Sequence, residues 1–110
     1  MSVLVLYRAV FEAERADWRS TGRLRSAPSG MEGKHFTESV ALAARFGRAF
    51  RGQGWDAGPF WVLEVSFAEG ASVPLHELRQ DGIGPSYFAD ERALESIELV
   101  TEVRRIEEDE

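Results

Sequence analysis

Apolar residues run almost unbroken from Val3 to Val10, with only Tyr7 and Arg8 interrupting a stretch rich in β-branched side chains. Such a block predicts a buried strand, and with a period of two Arg8 falls on the same face as Leu4 and Leu6. Phe11 and Trp18 lie seven positions apart, on one face of a short amphipathic helix over Glu12 to Thr21. Gly22 stands where the helix needs a left-handed residue to end. Ser26, Pro28, Ser29, Gly30 and Gly33 then make residues 23–33 a loop. Lys34 to Thr37 has strand character. Ser39 is placed to cap a second helix, whose apolar positions Leu42, Phe46, Ala49 and Phe50 follow i, i+4, i+7, i+8 and which stops near Gly52.

A second loop, with Gly54, Gly58 and Pro59, leads into Phe60 to Phe67, an alternating segment bounded by turn residues and predicted as a strand. Residues 68–92 are punctuated by Gly70, Pro74, Gly82, Gly84 and Pro85, and no period survives there; short strands are expected only around Val73 to Leu78. The alternation of Ile97, Leu99, Thr101 and Val103 with Glu98, Val100, Glu102 and Arg104 predicts a last strand with one wet face. The order implies a compact α+β domain in which two helices from the N-terminal half pack on a mostly antiparallel sheet formed by the later strands. A doubly wound fold is excluded on the expectation that the second half lacks helices. No internal repeat is visible.

Composition narrows the function classes. At 110 residues, 44% of them hydrophobic and 29% charged, the chain suits one soluble domain over residues 1–106 with an acidic tail at 107–110. The absence of cysteine excludes disulfide frameworks, thiolate metal sites and a cysteine nucleophile. A net charge of −6 disfavours nucleic acid and anionic membranes as partners. That total conceals an asymmetry: residues 1–55 carry +4 and residues 56–110 carry −10. The run Val3-Leu4-Val5-Leu6 is too short to span a membrane and has no basic flank or cleavage site, so the chain is expected to be soluble and unprocessed.

Most familiar chemistry finds no support. His35 and His76 have no ligand partners at metal-site spacing, so no metal is expected. Gly82-Ile83-Gly84 lacks the third glycine and following helix of a dinucleotide fingerprint, and there is neither a phosphate loop nor a serine nucleophile elbow. Arg45, Arg48 and Arg51 suit the solvated face and C-terminus of the second helix. Arg8 is the sharper signal, because a guanidinium inside an apolar strand needs an anion. The anion is either a ligand or a nearby glutamate. Gly33-Lys34-His35-Phe36-Thr37-Glu38-Ser39 brings an aromatic, a hydroxyl and a capping serine to a helix N-terminus. Such a junction either binds an anion or simply connects strand to helix.

Four strings taken in order carry a resemblance: Leu6-Tyr7-Arg8; Thr21-Gly22-Arg23-Leu24-Arg25; Gly33 to Ser39 leading into Ala41 to Gly47; and Asp81-Gly82-Ile83-Gly84-Pro85-Ser86-Tyr87. From about Leu6 to Leu94 the chain resembles the small ADP-ribosyltransferase-like toxin domains found at the C-termini of bacterial Rhs and other polymorphic toxins, including type VI secretion effectors. The resemblance implies a split β-sandwich around a cleft for NAD. It implies that Arg8 holds the NAD phosphate or ribose, that Phe36, Thr37 and Ser39 shape the nicotinamide pocket, and that Tyr87 stacks on the nicotinamide. It also implies a protein acceptor in the cytoplasm of a target cell, reached by secretion from a bacterium, and a cognate immunity protein. The sequence departs from the family in lacking a Glu-x-Glu or Gln-x-Glu pair after Gly82 to Pro85, which leaves Asp81 or Glu77 as the catalytic carboxylate, each with a turn or surface role as its alternative. Two other readings stay open, an NAD glycohydrolase and a catalytically inactive relative that binds a protein. Convergence of Arg8 and Thr37 beside Glu77 or Asp81 favours the enzyme; an Arg8 sealed by a local glutamate counts against it.

Overall fold

In chain order the elements are β1 (Leu4–Phe11), α1 (Glu12–Thr21), β2 (Gly33–Phe36), α2 (Val40–Gly52), β3 (Phe60–Phe67), β4 (Leu75–His76), β5 (Ser86–Asp90), α3 (Glu91–Glu95) and β6 (Ile97–Ile106). The structure is a computed structural model and describes residues 4–24, 33–52, 54, 58–69, 75–76 and 86–107. The strands form two three-stranded sheets, ordered β1-β3-β6 and β2-β5-β4, and every pairing is antiparallel. Among the described residues a single backbone bridge joins them where β1 passes the end of β2: Tyr7 N–H donates to Thr37 O (2.8 Å) and Thr37 N–H to Tyr7 O (2.7 Å). The α+β class and the antiparallel strands are as the sequence predicts. The early strands, however, are full members of the sheets rather than separate from them, since β1 pairs with β3 over its whole length.

Central position explains the composition of β3. Flanked by β1 and β6, it buries both faces except at Glu64 and Ser66. Trp61, Leu63, Val65 and Phe67 join Leu6, Val10, Phe36, Ala89 and Leu94 in the main core, with Trp18 packed against it. On the opposite face Phe60 meets Ala44 and Ile106 beside Ala9 and Phe11, under α2.

The buried face of α2 differs from the predicted one. Ala43, Ala44 and Gly47 are its buried residues, whereas Phe50 is 43% exposed and Leu42 and Phe46 are half-buried. The bulk at this interface comes from the strand: the Phe60 ring fills the space under the helix, so the helix must present its smallest side chains there. Ser39 does cap α2, its Oγ accepting the Leu42 N–H at 3.1 Å. Gly22 ends α1 at φ 75° and donates its N–H to Trp18 O, as a left-handed cap requires.

In the second half the chain is more regular than its glycines and prolines suggest. β5 and the start of α3 fall within residues 68–92, where the sequence predicts no regular period, and α3 is a helix in a half expected to have none. Asp90 starts α3 by accepting the Ala93 N–H at 2.8 Å. β4 falls inside the interval where short strands were expected. No helix among the described residues is long and apolar enough to cross a membrane.

Gly47 and Gly52 give opposite expectations for the same substitution. A Cβ at Gly47 would overlap the fully buried Phe60 ring, whereas at Gly52 it would meet nothing within 4 Å. Gly47→Ala is expected to destabilise the fold by about 1–3 kcal/mol despite the gain in helix propensity. Gly52→Ala should be neutral or stabilising by up to about 1 kcal/mol. Urea denaturation of both variants checks this, and equal effects would refute the packing account.

Candidate functional site

Arg8 leaves β1 on the face that carries Leu6 and Val10, so its charge must be met close to the core. Strand β1 runs straight into α1 with no loop between them, which returns the first turn of the helix over the strand it has just left. Glu14 is thereby delivered to Arg8. Its carboxylate accepts from Arg8 Nε at 2.6 Å and from Nη2 at 2.8 Å, while Arg8 Nη1 donates to the backbone carbonyl of His35 at 2.8 Å. Lys34 Nζ, on the buried side chain of β2, lies 3.3 Å from the same Glu14 carboxylate. Two cations from two sheets therefore share one carboxylate from α1.

The electrostatics follow from that count. Burial pushes the Glu14 carboxyl upward, but the charge and hydrogen bond of Arg8, together with those of Lys34, outweigh it and hold the group below its ordinary value. Lys34 moves down as well, because burial and the neighbouring Arg8 charge disfavour its protonated form more than Glu14 and Asp17 favour it.

The other residues singled out from sequence sit along the seam between the sheets. Thr37 is buried, its hydroxyl within 3.2 Å of Tyr7 O and 3.1 Å of Ser39 O, and its peptide forms the bridge to β1. Phe36 is fully buried, edge-on to Phe67 with ring centroids 5.3 Å apart. Ser39 caps α2 as described. Tyr87 stands opposite Phe36 in the β2–β5 ladder, packs its ring against the core and donates its hydroxyl to the exposed Glu38 at 2.5 Å. That hydrogen bond, with burial and the Glu38 charge after it, raises the Tyr87 pKa. Glu77 and Asp81 lie outside the described residues.

Neighbouring contacts thus link the segments that carry Arg8, Thr37, Ser39 and Tyr87, through the Tyr7–Thr37 bridge, the Arg8 bond to His35 O and the Phe36–Tyr87 pairing. Arg8 is also engaged by a local glutamate, and Phe36 and Thr37 belong to the interior. Sequence reasoning missed Glu14, Lys34 and Glu38. For Glu14 a signal exists: a carboxylate in the first turn of a helix that directly follows the strand of an in-facing arginine is the nearest available counter-charge. On the opposite face of β1, Tyr7 donates to Glu64 at 3.2 Å across the β1–β3 pair, a cross-strand contact readable only once the register is known.

Among the described residues no group of three or more histidine, aspartate or glutamate side chains could hold a metal ion. Comparison with known proteins finds no family model, no curated protein and no solved structure that matches this chain.

Glu14→Ala leaves Arg8 and Lys34 without their shared counterion and is expected to cost about 2–4 kcal/mol at pH 7, allowing for partial solvent access. The folded-state pKa of Glu14 is depressed, so its stabilisation is present above the ordinary value of 4.5 and is lost as pH falls through the folded-state pKa. The gap between wild type and variant in urea denaturation should therefore close in acid. A gap independent of pH would mean that Glu14 acts through packing alone.

Proposed function

We propose that this chain is an ADP-ribosyltransferase-like domain that moves ADP-ribose from NAD to a protein acceptor, with its cleft at the seam between the two sheets. One observation carries the reading. Three strings far apart in sequence, around Arg8, from residue 33 to 39 and around Tyr87, meet at that seam through the Tyr7–Thr37 bridge, the Arg8 bond to His35 O and the Phe36–Tyr87 pairing. Two sheets parting at one bridge also suit the split sandwich that the resemblance implies.

In this reading the roles shift from those the resemblance implies. Arg8 is a positioning residue: with its guanidinium shared between Glu14 and the His35 carbonyl, it fixes β1, α1 and β2 around the cleft. Phe36 and Thr37 lie in the interior beneath the seam and support it, and Ser39 holds the start of α2. Tyr87 and Glu38 are the groups at the surface. Glycosyl transfer breaks the bond between nicotinamide and the ribose anomeric carbon, and nicotinamide departs with the bonding electrons. A nucleophile of the acceptor then attacks that carbon and gives up its proton; water in the same place gives hydrolysis. One carboxylate that stabilises the oxocarbenium-like state and orients the ribose suffices, a role that falls to Glu77 or Asp81. An acceptor in a competitor's cytoplasm and a cognate immunity protein belong to the same proposal.

The closure of Arg8 by Glu14 favours a second reading, a non-catalytic relative whose acidic half binds a basic protein. NAD and a bacterial lysate distinguish the two. The transferase reading expects nicotinamide release and an acceptor heavier by one ADP-ribose, with Glu77→Gln or Asp81→Asn lowering the rate about a hundredfold or more while the far-ultraviolet circular dichroism is unchanged. Neither release nor labelling, together with no heat of NAD binding in calorimetry, would leave the binding module standing.

A further inference from the structure

The donors around the Glu14 carboxylate all belong to the sheets. Arg8 Nε and Nη2, on β1, meet its two oxygens, and Lys34 Nζ, on β2, meets the oxygen that Nε already holds. Their placement does not depend on the helix: Arg8 Nη1 donates to His35 O, the guanidinium carbon lies 5.9 Å from the centre of the fully buried Phe36 ring, and the Lys34 side chain is only 8% exposed. A planar fork beside a lysine point charge is a donor set that suits a phosphate. The acceptor, by contrast, arrives on α1, the one described helix with no buried residue. The ends of that helix are fixed, since Phe11 packs on Phe60 with ring centroids 5.2 Å apart and Leu24 is buried in the main core just beyond the Gly22 cap. Between them the body is held by Glu14, by Trp18 and by the pairing of Arg15 with Glu102.

We propose that Arg8 and Lys34 form a binding site for a phosphate dianion, that Glu14 fills it in the closed form as an internal substitute, and that α1 is the lid that carries Glu14 on and off. Charge selects a dianion. The helix also carries Asp17, whose charge favours protonated Lys34, so lifting α1 removes both carboxylates at once and leaves two cations on the sheets. Opening costs the Trp18 packing and the Arg15 pair, which makes the closed form the resting one. Ten residues are too few for a helix to persist undocked, so α1 is released and unwound in one step, while its pinned ends confine the change to the helix. The Lys34 donor and the displaceable helix lie outside the transferase reading, and their test contains no NAD.

Amide hydrogen exchange of the full wild-type chain at neutral pH, in inorganic phosphate and in sodium chloride of equal ionic strength, reads the lid directly. A ligand ordinarily slows exchange. Here phosphate is expected to speed the amides of residues 16–21 about tenfold at saturation, while those of β1 and β2 are slowed or unchanged and chloride has no such effect. E14Q removes the competing charge, and in calorimetry it should bind inorganic phosphate about tenfold more tightly than the wild type does. Exchange in α1 that phosphate slows or leaves unaltered overturns the proposal, as does an acceleration that chloride reproduces or an E14Q chain that binds phosphate no more tightly.

Discussion

One carboxylate, that of Glu14, answers for two cations set near the core, and much of the N-terminal half is arranged around that constraint. Arg8 comes from the first sheet, Lys34 from the second, and Glu14 from the helix between them. Each charge alone would be costly at its depth; together they leave a local excess of one positive charge, which Asp17 and partial access to solvent temper. Helix α1 has no fully buried residue, so its seat depends on this contact, on the packing of Trp18 and on Arg15, which lies 4.3 Å over the Trp61 ring while pairing with Glu102 at 2.6 Å. The cluster thus ties one helix to both sheets without needing a large apolar face on the helix.

Helix α2 is held by the opposite means. It is seated by close approach, Ala43, Ala44 and Gly47 bringing its backbone down to Phe60, and Arg51 lies over the same ring at 5.0 Å while bonding the Gly58 carbonyl at 3.1 Å. Strand β3 makes both arrangements compatible, since Trp61 and Phe60 face opposite ways and serve separate cores from adjacent positions in the chain. One helix is fastened by charge and the other by shape.

Sequence was informative wherever a local pattern decides the structure. β1, α1, α2, β3 and β6 were legible from periodicity, and the Gly22 and Ser39 caps from the special conformation or acceptor a helix end requires. It failed where partners from distant segments decide. β5 is held by pairing with β2 and β4, 51 to 57 and 10 to 12 residues away, and its five residues are too short to show a period. The buried face of α2 departs from its periodicity because hydrophobic size marks burial only where there is room for it, and the space under a helix is set by the strand it covers. At the candidate site Arg8 announced its need for an anion, but the choice between a ligand and Glu14 turned on how a strand and helix fold back on each other, which depends on geometry rather than spacing.

The seam has a mechanical meaning as well. Within each sheet neighbouring strands are held by ladders, but between the sheets the backbone connection among the described residues is one pair of hydrogen bonds at Tyr7 and Thr37. A rotation of one sheet against the other about that pair would leave both ladders whole but would have to break the Arg8 bond to His35 O and the packing of Phe36 on Phe67. What unites the two sheets is thus mostly side chain: a common interior and one ionic cluster hold together layers that the described backbone ties at one point.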